Sequence, residues 1–282
     1  MTHQRHIDVD GVRLAVTYSG SGAPVVCLNA IGHDAQDFAP LAARIGDRFE
    51  FICIEWPGHG DSGTDREGAS AARYAHLLGG ALQTLAVDAP IIIGNSIGGA
   101  AAVRYASRHP VRALVLCDSG GLVAVTPTIA RFCGLFSRFF AAGARGAAWY
   151  PRAFAWYYRL VLPTPAAAHQ RKRIVARARA LAPTLRDAWA SFGRPDADIR
   201  DVAAELDVPI WVAWARRDKV IPLAACRPAI ERMRRARIDT FDAGHAAFLE
   251  QPDAFAQGFV AFVASLPLTG PLDACRPTRA IA

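Results

Sequence analysis

Residues Ile91-Ile92-Ile93-Gly94-Asn95-Ser96-Ile97-Gly98-Gly99-Ala100 pass from an aliphatic run directly into an alanine-rich one, with a G-x-S-x-G pentapeptide at the junction. The aliphatic run reads as a strand buried on both faces, the kind found in parallel sheets covered by helices. The alanine-rich run reads as a helix. A serine set in the sharp turn between them must adopt a strained backbone, and only small residues two positions to either side leave room for it. The turn holds the hydroxyl clear of both elements. The helix start leaves the Ile97 N–H without an intrahelical acceptor, where a developing oxyanion could use it.

The rest of the chain agrees with an α/β layer. Alternation from Arg5 to Tyr18 around Asp10-Gly11 predicts an antiparallel hairpin. Apolar runs at Pro24 to Leu28, Phe49 to Ile54, Ile91 to Ile93 and Ala113 to Leu116 alternate with helix-like segments at 37–46, 70–86 and 97–109. Residues 121–205 break this rhythm, with aromatic and apolar residues at helical spacing among many arginines. The alternation resumes with a strand at Val208 to Trp214, a helix near 223–236, a strand at Ile238 to Phe241 and a helix from Asp253 to about Leu266. The reading is therefore an α/β core from 1–120 and 206–266, a helical insertion at 121–205, and an irregular tail over 267–282 containing Gly270, Pro271 and Pro277.

Hydrophobic residues make up 52% and charged residues 20% of the 282 residues, ample for a large core and unlike a disordered chain. The longest stretches free of Asp, Glu, Lys and Arg are broken by glycine and proline, which argues against a membrane span. The start, Met1-Thr2-His3-Gln4-Arg5, lacks a secretion-signal pattern, and the six cysteines have neither CxxC pairs nor metal-ligand spacing. A reduced, cytoplasmic protein is expected, monomeric or homodimeric. The net charge of +7 is uneven: residues 1–120 carry 9 basic and 12 acidic groups, 121–200 carry 13 and 3, and 201–282 carry 10 and 10. The excess lies in the insertion, and without a nucleic-acid-binding motif it gives no reason to expect DNA or RNA as partner.

A serine hydroxyl is a weak nucleophile at neutral pH and needs a histidine base oriented by an acid, later in the chain in the order acid then histidine. Asp218 sits in Ala215-Arg216-Arg217-Asp218-Lys219-Val220-Ile221-Pro222, just after a strand, and His245 in Gly244-His245 after the next strand, followed by Glu250-Gln251-Pro252. With Trp56-Pro57-Gly58-His59-Gly60-Asp61-Ser62, these segments resemble the α/β-hydrolase family over roughly residues 5–266. The resemblance implies an eight-stranded, mostly parallel sheet with an N-terminal antiparallel hairpin, helices on both faces and an inserted helical cap. It also implies Ser96 as nucleophile, His245 as base and Asp218 as orienting acid. The backbone N–H groups of Ile31 and Ile97 would form the oxyanion hole, and His59 would hold its loop. Asp118, after the strand Leu114 to Cys117, is a rival for the acid, but the whole Asp218 loop fits the pattern better.

Asn29 stands where many relatives have histidine and resembles the enol-lactonase branch; its amide is expected to hydrogen-bond its own loop rather than a substrate, and it is a pocket candidate together with Asn95. In relatives the insertion folds as a lid over the serine, and here its inner face would be aromatic, from Phe136, Phe139, Phe140, Trp149, Phe154, Trp156 and Tyr157. Arg131, Arg138, Arg145, Arg152 and Arg159 recur every seven residues, a stripe on a helix that Pro151 divides in two. The stripe is either a solvated outer face or a site for a carboxylate, an anionic carrier or a lipid surface. The expected activity is hydrolysis of an ester, lactone or thioester with an apolar acyl part, without metal or organic cofactor. Hydrolysis of a carbon–carbon bond in a dienoic keto acid is the alternative, disfavoured because Ala246 stands where that branch has tryptophan after the histidine. A non-catalytic ligand-binding role on the same fold is the third.

Overall fold

The structure is a computed structural model that describes residues 2–267; of the tail expected over 267–282, residues 268–282 lie outside the described residues. Eight strands form one sheet: β1 (His3–Val9), β2 (Val12–Gly20), β3 (Ala23–Leu28), β4 (Phe49–Ile54), β5 (Ile91–Asn95), β6 (Ala113–Cys117), β7 (Ile210–Ala215) and β8 (Ala236–Phe241), in the order β1-β2-β4-β3-β5-β6-β7-β8. β1 pairs antiparallel with β2, and β2 antiparallel with β4, while every other pairing is parallel. The hairpin turns at Asp10 and Gly11, with φ of 51° and 72°, the left-handed pair that matches the twist of its strands.

Eleven helices connect and cover the strands in the described residues: α1 (Ala39–Ile45), α2 (Ala71–Leu85), α3 (Ile97–Ala106), α4 (Pro127–Ala144), α5 (Tyr150–Val161), α6 (Ala168–Ala176), α7 (Ala178–Phe192), α8 (Arg200–Glu205), α9 (Leu223–Ile230), α10 (Ala247–Glu250) and α11 (Pro252–Ala264). β5, β6 and β7 are buried along their whole length, so their runs are aliphatic rather than alternating. α1 packs on α11 and α2 on α3, while β6 and β7 are separated in sequence by helices alone. Trp211 of β7 fills the space under α11, its ring 4.9 Å from Phe255 and 6.0 Å from Phe262.

One boundary departs clearly from expectation. The helix expected over 223–236 ends at Ile230, because the chain turns through Met233 so that the Arg235 carbonyl can accept from Ile210 N–H as β8 begins. As expected from Pro151, which stands in the first turn of α5, α4 and α5 are separate, and the seven-residue arginine repeat runs over two helices.

α3 approaches the sheet very closely. A Cβ on Gly98 would lie 2.5 Å from the Leu28 carbonyl oxygen, and one on Gly94 would lie 2.6 Å from the Gly98 carbonyl oxygen. Both obstacles are backbone, which cannot swing aside. Gly98→Ala is therefore expected to destabilise the protein by about 1–3 kcal/mol or more, as overpacking does, read as a lower midpoint in a urea titration with unchanged slope.

Candidate active site

Ser96 occupies the turn between β5 and α3 with φ of 55° and ψ of −118°, a conformation costing roughly 1–3 kcal/mol that the surroundings must hold in place. They do so by hydrogen bonding. Its N–H donates to the Cys117 carbonyl of β6 at 3.0 Å, and its carbonyl accepts from Gly99 (3.0 Å), Ala100 (3.2 Å) and Gly120 (2.9 Å). Asp218 follows β7 and His245 follows β8, so all three residues arrive at the carboxyl ends of parallel strands, where α/β sites assemble. All three are buried.

His245 Nδ1 lies 2.8 Å from Asp218 Oδ2. The other Asp218 oxygen accepts from the N–H groups of Val220 (2.7 Å) and Ile221 (3.1 Å), which fixes the carboxylate plane. Burial disfavours a charged His245, but the adjoining Asp218 charge and hydrogen bond, reinforced by Asp118 and Glu250, prevail and raise its pKa to about 9. Asp118 sits elsewhere. Its Oδ1 accepts from Ala215 N–H at 2.8 Å, while its Oδ2 is buried without a hydrogen-bond partner. Burial, followed by repulsion from Asp218, pushes its pKa well above the carboxylate range.

The loop after β3 is built to hold a shape. Asn29 Nδ2 donates to the carbonyls of Ala30 and His33, both at 2.9 Å, and the Asn29 carbonyl accepts from Trp56 Nε1 at 2.9 Å. His59 Nε2 accepts from Gly32 N–H at 2.7 Å, and its Nδ1 lies 3.0 Å from the Pro57 carbonyl. Burial depresses its pKa to about 4, so it is a neutral loop anchor with both ring nitrogens engaged. Glu55 completes the loop, one oxygen accepting from Ala35 N–H (3.1 Å) and the other from Asp61 N–H (3.0 Å).

A cavity of about 220 Å³ joins these parts, lined by Ser96, His245, Ile31 and Ile97 from the sheet side and by residues of α4, α5 and α7 from the helical side. Three grooves elsewhere are larger, about 730 Å³ beside Trp211, about 1100 Å³ between α2 and α3 and about 400 Å³ beside α1, but none reaches Ser96 or His245. Among the described residues no cluster of three or more His, Cys, Asp or Glu side chains could hold a metal.

Several expected pocket residues lie outside the cavity. The Asn29 amide is engaged in its own loop. Asn95 is fully buried, its Nδ2 donating to the carbonyls of Cys117 (3.0 Å) and His245 (2.9 Å), so it ties the serine turn to the histidine loop. Phe140 and Phe154 are buried within the helical insertion, and Phe136 stacks on Trp189 at 4.4 Å between the centroids. Phe139 packs against Trp149 and Tyr150. Trp149 and Trp156 are 52% and 64% exposed. Of the seven aromatic candidates only Tyr157 lines the cavity, where it is joined by Ile129, Phe132, Trp189 and Phe192. α4 carries apolar residues around most of its circumference, so sequence periodicity could not select its inner side. The stripe Leu181, Leu185, Trp189, Phe192 on α7 is the signal that could have pointed to Trp189.

Glu250 is a positioning residue whose role the sequence did not reveal. Its Oε1 accepts from the N–H groups of Gly244 (2.9 Å), His245 (3.1 Å) and Ala246 (3.3 Å), and its Oε2 from Thr164 N–H (3.4 Å). It thus sets the histidine loop and joins it to the insertion. A buried acid in Ala247-Phe248-Leu249-Glu250 was the available clue. Glu250→Ala leaves these donors to find water in a buried site, with an expected cost of about 1–3 kcal/mol, measurable as a lower unfolding midpoint.

Known proteins resemble this one over most of its length. A pimeloyl-[acyl-carrier protein] methyl ester esterase of Stenotrophomonas maltophilia is 27% identical over 287 aligned residues, covering 93% of this chain and 97% of that protein. Among solved structures, a thermophilic esterase from Thermogutta terrifontis superposes with a TM-score of 0.77 at 19% identity, covering 93% of this chain and 98% of that one. The enol-lactonase from Burkholderia xenovorans LB400 superposes at 0.74 with 22% identity, covering 93% and 100%. Residues 25–258 match the alpha/beta hydrolase family as a whole, and with the sheet order and strand-end site described above, the chain belongs to that family.

Proposed function

We propose that the protein is a serine hydrolase that cleaves a carboxylic ester, lactone or thioester with an apolar acyl part through an acyl-enzyme on Ser96. The observation that carries this reading is the 2.8 Å contact of His245 Nδ1 with Asp218, in a histidine that lines one buried cavity together with Ser96. In this mechanism His245 takes the Ser96 proton as Oγ attacks the carbonyl carbon, and Asp218 orients the ring and stabilises the imidazolium. The N–H groups of Ile31 and Ile97 receive the oxyanion. His245 then protonates the leaving group, and it activates the water that releases the acyl group from Ser96. The insertion at 121–205 acts as the cap, and the apolar cavity under it selects the acyl part. Its volume, about 220 Å³, suits a short or slender acyl chain. Resemblance to the methyl ester esterase supports ester chemistry.

Asp218 is the acid in this reading, because it and not Asp118 meets the histidine. Asp118 instead accepts from the last N–H of β7, at Ala215, and burial raises its pKa.

The first test is turnover of a short-chain aryl ester and labelling by a fluorophosphonate. Turnover is expected, with the adduct mass on the peptide carrying Ser96 and none in Ser96→Ala. Absence of both turnover and adduct would overturn the proposal. The second test is the pH profile. His245 must be unprotonated to act as base, and its raised pKa places the acid limb of kcat/KM above the ordinary imidazole value, rising towards about 9. Asp218→Asn is expected to cost about 10⁴-fold in kcat and to move the limb down, whereas Asp118→Asn should leave kcat nearly unchanged and lower the limb only slightly. A dead Asp118→Asn beside an active Asp218→Asn would reverse the assignment of the acid.

A further inference from the structure

Between Asp118 and Asp187 the sequence has no acidic residue and eleven basic ones. Some of these are engaged locally: Arg173 pairs with Asp34 of the core at 2.7 Å, while within the insertion Arg171 donates to the Leu162 carbonyl and Arg186 pairs with Asp187 at 2.7 Å. Arg131, Arg138, Arg145, Arg152 and Arg159 are different. They are exposed, and among the described residues none of them has a carboxylate partner.

The same two helices carry the large apolar side chains that the described fold leaves in water: Phe132 at 47%, Leu135 at 62%, Trp149 at 52% and Trp156 at 64% exposure. Helical spacing groups them with the arginines. Arg131, Leu135 and Arg138 share one side of α4, with Phe132 beside it, and Trp149, Arg152, Trp156 and Arg159 share one side of α5 and its first turn. The Phe139 ring, 5.8 Å from that of Trp149, links the two helices. Scattered exposed hydrophobics need no explanation, but four of them concentrated on one helix pair mark a contact surface.

We infer that this face of α4 and α5 docks on the surface of an anionic phospholipid bilayer. A bilayer interface offers a phosphate layer for long cations directly above an apolar layer for tryptophan, phenylalanine and leucine, and interleaved arginine and aromatic side chains match both at once. The alternation extends along both helices and leaves no acidic position to repel the headgroups. Phe132 also lines the cavity that holds Ser96, so the docked face borders the cavity and an apolar substrate dissolved in the bilayer would meet it there. That last step rests on the hydrolase reading; the docking does not.

The test is flotation of the full-length protein with vesicles of phosphatidylcholine, with and without phosphatidylglycerol. Binding to the anionic vesicles is expected, weakening as salt is raised. Leu135→Ala combined with Trp156→Ala, and separately Arg138→Glu combined with Arg152→Glu, should each reduce it by at least about tenfold. These positions are on the surface, and an unchanged unfolding midpoint establishes that the variants remain folded. Failure to bind anionic vesicles overturns the inference, as does binding that neither variant pair weakens. Capture by an acidic carrier protein without vesicle binding, or a dimer dissociated by the same substitutions, would assign the face to a protein partner and equally overturn it. Because vesicle binding is read without catalysis, its failure is distinct from failure of the ester test.

Discussion

The close approach of α3 to the sheet is the constraint on which the site depends. Gly94 and Gly98 let the helix backbone come within contact of β3 and of the preceding turn, and Gly99 does the same against Ser119, where a Cβ would lie 2.5 Å from Oγ. Only in that approach can Ser96 hold a φ of 55°, with its carbonyl bonded to three N–H groups and its own N–H bonded across to β6. The strain of one residue is thereby distributed over a dense hydrogen-bonded frame, and the hydroxyl is placed at the floor of the cavity. A side chain added at Gly94 or Gly98 moves backbone, whereas one at Gly99 first meets the Ser119 side chain.

Buried carboxylates do much of the remaining positioning. Glu55 shapes the loop after β3, Glu250 the histidine loop, and Asp34 receives Gln170 at 2.9 Å and Arg173 at 2.7 Å from α6. In each case backbone or side-chain donors converge on a carboxylate that would be costly to leave unpaired. These groups couple the helical insertion to the sheet, since Glu250 also accepts from Thr164 and Asp34 bridges to α6. The arrangement around His245 shows how two carboxyls at neighbouring strand ends diverge in role. Asp218 has two N–H donors on one oxygen and the imidazole on the other, whereas Asp118 has a single N–H donor and an oxygen with no partner.

Much of the fold and the candidate site was legible because it follows from short-range rules. The strand-turn-helix junction at Ser96, the hairpin at Asp10-Gly11 and the order of Asp218 and His245 all rest on local patterns whose physical requirements are visible in the residues themselves. The helical insertion was harder to read. Phe136, Phe139 and Phe140 are aromatic at helical spacing whether they face a cavity, another helix or water, and here most of their area is taken by α5 and α7. Trp149 and Trp156 could be assigned inward from composition alone, yet their helix turns them to solvent. Asn95 looked like a substrate contact because polar residues beside a nucleophile often are, but backbone carbonyls already engage its amide, whereas Asn29 bonds its own loop as expected.

The sequence by itself determined the fold class, the strained serine turn, the chain order of the candidate catalytic residues and the concentration of positive charge in one insertion, since each depends on residues near one another along the chain. Only the tertiary structure decided which carboxyl meets His245, which aromatic residues enclose the cavity, that Glu250 holds the histidine loop, and that the unpaired arginines share their helices with exposed tryptophans. Those outcomes depend on how helices rotate and loops converge, and rotation of an almost wholly apolar helix is set by the surfaces it packs against rather than by its own residues.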